Sequence, residues 1–277
     1  DLFIADTWGN RIIGYAVHDQ THEVIAGGES KVAIRRPRGM VYDTTTEYLF
    51  FTEGDNPPQK SQRVRALGPN GEIIDILGGD SSEFNLVPES ASQTTVNYPR
   101  GLTADKQGNL YVSFRHVPAI LRLEPFSNST LSGSVQESDA AELSGPPEYE
   151  VDLLAGHKSQ FGFMDGEATA ARFDAPFHIQ YVESFGSVGS LLVCDSNQNH
   201  VIRRVDLEDG SVSTWLGKPR KAGSSLGSWS ETQLSFPNDV SYHKSGCFVI
   251  DANNHRVLLC TEDGQVINAI SKTGEMV

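Results

Sequence analysis

One motif recurs along this chain, and that repetition limits the possible folds more than any single residue does. Each copy opens with Pro-x-Gly or a polar variant of it, continues into an apolar segment that ends at an acid, and then reads Asn-x-Arg or Asn-His-Val. Four copies begin at Pro37, Pro99, Pro176 and Pro237, and a copy without its opening begins at Asp1. Repetition of this kind predicts a protein built from similar units that pack on their neighbours.

The apolar segments within a copy have the length and the boundaries of β-strands. Runs of four to seven apolar-rich residues alternate with clusters of Gly, Asn and Asp, a pattern typical of short strands joined by hairpins. Four antiparallel strands per unit, repeated around an axis, is the arrangement of a β-propeller. We therefore predict an all-β propeller of four-stranded antiparallel blades in which each proline opens an innermost strand. The five repeats predict five or six blades, and the first repeat lacks its inner strand.

The repeats predict one propeller domain over residues 1–277. Because the first repeat is incomplete, we expect the chain to be a fragment of a longer protein. Residues 126–149 are rich in Ser, Glu, Gly and Pro, so we predict an exposed excursion from the sheet there. Residues 165–173 are predicted to form one or two helical turns in a linker. No apolar run reaches the roughly 18 residues that suggest a membrane-spanning helix.

The turn that follows the strand-end acid carries a resemblance to a known family. Residues 6–12, 195–201 and 251–257 share Asp, Asn and a following apolar residue at similar spacing, and this pattern resembles the NHL repeat. The linker at 155–176 also resembles the connector of many NHL-repeat propellers. The resemblance covers nearly the whole chain and implies a propeller. It leaves the activity open, since NHL-like propellers include binding domains, an amidating lyase that uses metal and His residues, and, among similar folds, gluconolactonase-type enzymes with an Asn-Asp pair.

Charge and cysteine content argue against some classes of function. The chain has 36 acidic and 22 basic residues, and its formal charge of −14 opposes general attraction to nucleic acid or to anionic lipid. RNA binding would need a local basic face, and two clusters of basic residues precede the second and the last repeat: Lys31, Arg35, Arg36 and Arg38, and Lys218, Arg220 and Lys221. The three cysteines, Cys194, Cys247 and Cys260, have no Cys-x-x-Cys spacing, so we predict buried free thiols without a disulfide framework or zinc site. The compartment stays undetermined.

The acids at the ends of the strands are expected to be structural. Asp6, Glu53, Asp195 and Asp251 occupy equivalent positions, and Asn follows three of them a few residues later. Short Asx side chains accept hydrogen bonds from neighbouring backbone N–H groups, which explains the spacing without a ligand.

The residues that open the inner strands are the candidate functional residues, because the inner strands of a propeller converge on its axis. Two copies read Pro-Arg-Gly, whereas the other two replace Gly by His or Asp. The predicted channel-lining residues are Arg38, Arg100, Phe177, His178, Asn238 and Asp239. His178 and Asp239 have the side chains of a metal site or an acid–base pair. No His recurs between blades, however, and the two arginines would repel a cation.

These observations favour a rigid scaffold that binds a protein or peptide over an enzyme. The prediction includes no catalytic residue, no metal and no cofactor. Two alternatives stay open: a metal-assisted lyase or lactonase that acts in the channel, and RNA binding on a local basic face. Neither a phosphate-binding Gly-rich loop nor a nucleophile elbow is present in the sequence.

Overall fold

A computed structural model of the protein describes residues 2–28, 32–54, 61–81, 83–88, 90–126, 148–243, 246–261 and 263–270. In this part of the chain the fold is all-β, and helical structure is limited to 3-10 turns at Ala91–Gln93, Ala168–Ala170 and Ala252–Asn254. No described helix has the length and apolar character required to cross a membrane.

Nineteen strands form five antiparallel sheets in the described residues. The sheets, in chain order, are β1 (Leu2–Asp6), β2 (Arg11–Ala16) and β3 (Thr21–Gly27); β4 (Pro37–Tyr42), β5 (Leu49–Gly54), β6 (Gln62–Leu67) and β7 (Ile73–Gly79); β8 (Pro99–Ala104), β9 (Leu110–Phe114), β10 (Ala119–Pro125) and β11 (Tyr149–Gly156); β12 (Pro176–Val182), β13 (Ser190–Asp195), β14 (Val201–Asp206) and β15 (Val212–Leu216); and β16 (Pro237–His243), β17 (Gly246–Asp251), β18 (Arg256–Cys260) and β19 (Val266–Ile270).

The sheets are the blades of a β-propeller, as the repeats predicted. Strands β4, β8, β12 and β16 each begin at a repeat proline, lie at one edge of their sheet, and pack against the corresponding strand of the neighbouring blade. They are therefore the inner strands. In the first blade, Asp6 faces Arg11 across β1 and β2, just as Asp251 faces Arg256 across β17 and β18. Strand β1 is thus a second strand, and the described residues supply no inner strand to this blade.

The hydrophobic core is divided among the blade junctions. One cluster around Phe51 joins the first two blades, one around Phe50 and Phe114 joins the second and third, one around Phe173 joins the third and fourth, and one around Val249 joins the fourth and fifth. No such cluster of described residues joins the fifth blade to the first. The side chains of β5 point alternately into two clusters, which is why this strand is apolar on both faces.

The linker before β12 is held by a buried arginine. Residues 165–173, predicted as one or two helical turns, contain the three-residue 3-10 turn Ala168–Ala170 and are otherwise non-helical. Arg203 on β14 is fully buried and lies 3.0 Å from the buried carboxylate of Asp195 and 2.6 Å from the exposed carboxylate of Asp165. Its guanidinium also donates to the carbonyl oxygens of Met164 and Arg172, at 2.8 and 2.9 Å. One cation therefore fixes the linker to the fourth blade.

Most of the predicted excursion at 126–149 lies outside the described residues. Phe126 is 49% exposed, whereas Tyr149 opens β11 and is buried in the core cluster of the second and third blades. The last strand of the third blade therefore begins inside the segment that the sequence assigned to the excursion. The backbone N–H of Phe126 donates to the carbonyl of Glu148 at 2.7 Å, so the two ends of the segment lie side by side.

Candidate functional site

The four inner strands begin with the same local structure. The residue before each proline has a left-handed backbone, with φ of 46° at Arg36, 56° at Tyr98, 59° at Ala175 and 56° at Phe236. Residues other than glycine rarely adopt this conformation. In three blades, the N–H one residue earlier donates to the strand-end acid: Arg35 to Glu53 at 3.2 Å, Asp174 to Asp195 at 2.7 Å and Ser235 to Asp251 at 2.7 Å. These hydrogen bonds set the direction in which the inner strand starts.

The strand-end acids also pair with arginines of the next strand. Arg11, Arg65, Arg203 and Arg256 lie within 3.2 Å of Asp6, Glu53, Asp195 and Asp251, respectively. Burial raises the pKa of Asp195 to about 6, although Arg203 and the hydrogen bonds from Asp174 and Asn199 lower it. The partners of the strand-end acids are turn amides and arginines, which agrees with the structural role predicted from the sequence.

Hydroxyl groups connect each of the first four blades to the inner strand of the next blade. The hydroxyl of Thr7 donates to the carbonyl oxygen of Pro37, and that of Thr52 donates to the carbonyl oxygen of Arg100. In the same way, Ser113 donates to Phe177 and Ser196 donates to Pro237. Thr52 and Ser113 also accept a hydrogen bond from the N–H of Gly39 and Gly101 in their own blades. In the fifth blade, Ala252 stands at the position of Thr7 and Ser196 and has no hydroxyl.

The two inner-strand glycines are required by the close approach of neighbouring strands. A Cβ at Gly39 would lie 2.5 Å from the carbonyl oxygen of Arg100, and one at Gly101 would lie 2.8 Å from that of Phe177. Each position lies in a register irregularity between the inner strand and the second strand, a feature that redirects side chains. His178 and Asp239 occupy the same positions in the last two blades, where side chains fit.

All six predicted channel residues line one cavity of about 400 Å³, which we call the ring cavity. Its wall comes from the starts of the four inner strands and from Ala5 and Thr7 at the end of β1, so every blade contributes to it. The remaining lining residues are Gly39, Met40 and Gly101. The cavity lies at the axis of the propeller because the inner strands converge there.

One side of the ring cavity is positively charged. Arg38 lies close to Tyr98, with its Nη2 atom 3.1 Å from the phenol oxygen. Arg100 stacks on Phe177, with 3.9 Å between the guanidinium carbon and the ring centroid. Among the described residues, the Arg100 side chain has neither a hydrogen-bond acceptor nor an ion-pair partner. Burial and then the like charge of Arg38 lower the pKa of Arg100 to about 10, with a smaller contribution from Arg115, so it remains charged at neutral pH.

The other side contains a histidine–carboxylate pair and an unsatisfied amide. His178 Nε2 lies 3.1 Å from Asp239 Oδ1. Burial lowers the pKa of His178; Asp239 opposes this shift and Arg100 adds to it, which favours a neutral imidazole that donates its Nε2–H to the carboxylate. The Oδ1 atom of Asn238 is buried and accepts no hydrogen bond in the described part of the structure. A buried polar atom without a partner is costly, so a ligand with a donor would stabilise it.

His178 and Asp239 supply the imidazole and the carboxylate of the ring cavity, and the Oδ1 atom of Asn238 is a third oxygen that could ligate a metal. No group of three or more His, Cys, Asp or Glu residues within the described ranges is arranged to hold one. Arg100 would also repel a cation beside the pair. The arrangement as a whole favours an anionic or hydrogen-bonding ligand.

Sequence reasoning missed a second, larger cavity of about 960 Å³ at the opposite ends of the inner strands. Four tyrosines, Tyr42, Tyr149, Tyr181 and Tyr242, line it together with turn residues such as Asp43 and Asp105. Both carboxylates are occupied by local turn hydrogen bonds. A signal existed in the sequence, because tyrosine stands five residues after the proline in every full repeat except the third.

Comparison with known proteins supports the fold and leaves the family open. No protein-family profile matches the sequence, and no curated protein matches it. Solved structures do match. An auxiliary nutrient binding protein from Bacteroides ovatus has a TM-score of 0.64 and 15% identity over 89% of this chain and 52% of its own.

Two other solved structures have the same fold with different named functions. A nidogen/laminin complex matches with a TM-score of 0.57 and 15% identity over 94% of this chain and 70% of that one. Streptogramin B lyase matches with a TM-score of 0.52 and 14% identity over 96% of this chain and 63% of that one. The chain spans about half the length of the nutrient-binding protein. At these identities the matches support the propeller fold alone, and unrelated activities can share one fold.

Proposed function

We propose that this protein is a rigid binding scaffold of the NHL-repeat type, and that its ring cavity receives an anionic group of a protein or peptide partner. The observation that carries the proposal is the Arg100 guanidinium in the cavity wall, which has no acceptor and no ion-pair partner among the described residues. A cation whose pKa is lowered by burial and by Arg38 is stabilised when a carboxylate binds beside it. The names of the neighbours, a nutrient-binding protein and a nidogen/laminin complex, make a binding role plausible.

The geometry suggests how such a group would be held. Arg100 is half-buried and rests on Phe177, so its guanidinium is already restricted and loses little freedom when it binds. A planar guanidinium can donate two parallel hydrogen bonds to one carboxylate. The Oδ1 atom of Asn238 remains available to a backbone or side-chain N–H of the same partner. A peptide that offers both a carboxylate and an amide fits these two features better than a simple anion does.

Calorimetric titration with a hexaglutamate peptide and with its hexaglutamine counterpart tests this function. We expect the acidic peptide to bind and the neutral one to bind at least about tenfold more weakly, a difference of about 1.4 kcal/mol. Arg100→Gln should remove the preference. Arg122→Gln is the matched control, because Arg122 forms an exposed ion pair with Asp152 and is absent from the lining of the cavity. Equal affinity for both peptides would contradict the proposal, and so would an equal loss of affinity for the acidic peptide in Arg100→Gln and Arg122→Gln.

The second candidate is a metal-assisted lyase or lactonase. The His178–Asp239 pair in the cavity favours it, and streptogramin B lyase shows that a similar fold is compatible with lyase activity. Elemental analysis of the purified protein separates the two candidates. The scaffold proposal expects no stoichiometric divalent metal. A metal at one equivalent that is lost in both His178→Ala and Asp239→Ala would favour the enzyme instead. RNA binding has less support, because the chain is strongly acidic and Arg36 stacks on Trp8.

A further inference from the structure

The cavity at the ends of the inner strands has an aromatic wall, and we call it the tyrosine cavity. Its volume of about 960 Å³ is within the range of small-molecule sites. The buried residues Phe50 and Leu110 belong to its apolar lining. Blades two to five each supply one tyrosine: Tyr42 at the end of β4, Tyr149 at the start of β11, Tyr181 near the end of β12 and Tyr242 near the end of β16.

The charged residues of the tyrosine cavity are mostly acidic. Asp43, Asp105 and Glu183 contribute carboxylates to the lining, and Lys106 contributes an ammonium. Burial raises the pKa of Tyr181 most, and the carboxylates of Asp105 and Glu183 raise it further. The charge of Lys106 opposes this shift. A carboxylate that disfavours a phenolate favours a cation at the same place, so the tyrosine cavity attracts positive charge, whereas the ring cavity at the other end of the inner strands attracts negative charge.

The carboxylates of the tyrosine cavity are already engaged close to their own positions. Each oxygen of Asp105 accepts two hydrogen bonds, all from residues 107–111. Each oxygen of Asp43 accepts one from its own turn, and Glu183 pairs with Lys106 at 2.6 Å. The carboxylates therefore supply charge to the cavity but few free acceptors. A primary ammonium has three N–H donors that need acceptors, whereas a quaternary ammonium has none.

We propose that the tyrosine cavity binds the quaternary ammonium group of an organic cation. Tyrosine rings attract a cation that lies within about 6 Å of the ring centre, and a quaternary ammonium can be surrounded by ring carbon without leaving a donor unsatisfied. A divalent metal fits less well, because it needs open carboxylate oxygens and those of Asp105 are fully occupied. The inference does not depend on the ligand of the ring cavity, because the two cavities share no lining residue.

Calorimetric titration with three probes of similar size tests this inference. Choline carries the quaternary ammonium, dimethylbutanol is its uncharged analogue in which carbon replaces the nitrogen, and ethanolamine carries a primary ammonium. The titrations are made at about 10 mM ionic strength, where charges are weakly screened. We expect choline to bind at least about tenfold more tightly than either of the other two compounds.

Each alternative result of the titration would overturn the proposal. Equal affinity for dimethylbutanol would show an apolar site that does not recognise charge. Equal affinity for ethanolamine would show that the cavity offers acceptors to a primary ammonium. A dissociation constant for choline above about 10 mM would show that the cavity is not a site for this group.

Two substitutions should change the affinity for choline in opposite directions. Lys106→Gln removes an ammonium from the lining and releases Glu183, so the affinity should rise about threefold at low ionic strength. A gain of this kind cannot arise from misfolding. Tyr42→Leu keeps an apolar side chain at an exposed position but removes a π face, so the affinity should fall about threefold or more.

Matched controls lie outside the lining of the tyrosine cavity. Lys158→Gln replaces an exposed lysine, and Tyr15→Leu replaces a half-buried tyrosine on β2. Neither control should change the affinity for choline. A gain in Lys106→Gln that Lys158→Gln equals, or a loss in Tyr42→Leu that Tyr15→Leu equals, would show that choline does not bind in the tyrosine cavity.

Discussion

Replacement of Arg203 by Met should destabilise the protein far more than the same change at its neighbour Arg204. The two residues are adjacent on β14 and point to opposite faces of the sheet. Arg203 and its partner Asp195 are both fully buried, whereas Arg204 is 32% exposed and pairs with the partly exposed Asp206 at 2.8 Å. The pair of variants therefore compares a buried ion pair with an exposed one in the same strand.

The magnitude follows from what each substitution leaves behind. Met fills much of the volume of Arg203 but leaves the Asp195 carboxylate buried without its cation, and it leaves the carbonyl oxygens of Met164 and Arg172 without their donor. Loss of one partner of a buried pair costs about 3–5 kcal/mol of unfolding free energy. Loss of an exposed pair, as in Arg204→Met, costs about 0–1 kcal/mol.

The difference should also depend on pH. Burial already raises the folded-state pKa of Asp195 to about 6, and without Arg203 it would rise further. A raised carboxyl pKa favours the folded state at low pH and disfavours it as pH rises from the unfolded value through the folded one. At pH values above the wild-type pKa of Asp195, ionisation of this residue no longer changes the unfolding free energy of the wild type. The unfolding free energy of the variant continues to fall there, because its Asp195 ionises at higher pH. The deficit of Arg203→Met should therefore be larger near pH 8 than near pH 5.

Urea unfolding of both variants at the two pH values measures these quantities. Asp195→Asn combined with Arg203→Met should recover part of the loss, because the unpaired charge is then absent. The argument would be refuted if Arg203→Met cost no more than Arg204→Met, or if its deficit were the same at both pH values.

Three further predictions concern the whole ring. Hydrogen exchange measured by mass spectrometry should be fastest, among the blade strands, in β1–β3, to which the described residues supply no inner strand; uniform protection around the ring would contradict this. Replacement of residues 127–147 by a short Gly-Ser turn should leave the melting temperature nearly unchanged, because Phe126 and Glu148 are already hydrogen-bonded; a large loss would show that the segment stabilises the fold. Burial raises the thiol pKa of Cys194, Cys247 and Cys260, so all three should react with Ellman's reagent only after unfolding, and rapid reaction of the native protein would count against their burial.

The repeat motif was sufficient to predict the blades and their inner strands. Proline at the start of an inner strand and an acid at the end of the second strand are local signals, and the structure shows that a turn amide links them directly. The positions of His178 and Asp239 could likewise be compared with Gly39 and Gly101 by alignment of the repeats. The distance of 3.1 Å between their side chains could not be predicted from the sequence, because it depends on how closely two consecutive blades approach each other.

The features that the sequence did not reveal depend on contacts between distant segments. Arg203 and Arg204 look alike in sequence, and only the linker folded over β14 makes one of them a buried cation. Phe248 and Ile250 are exposed, although in the sequence they resemble the apolar residues of any other strand. Their exposure depends on where the blades lie relative to one another. The sequence did not reveal the large tyrosine-lined cavity, because its wall comes from the ends of inner strands in four different blades, which only the fold brings together.

The hydroxyl contacts between blades give the ring a direction. Each donor lies at or near the end of the second strand of its blade and holds a carbonyl at or near the start of the next inner strand, so the position of each segment of the cavity wall is set by the blade before it. Ser113, for example, binds the Gly101 amide of its own blade and the Phe177 carbonyl of the next, and the Arg100 guanidinium rests on that phenylalanine ring. A displacement of one inner strand would therefore move the hydroxyl donor of its own blade and, through it, the inner strand of the next blade. The shape of the ring cavity is in this way a property of the whole assembly of blades rather than of any one repeat.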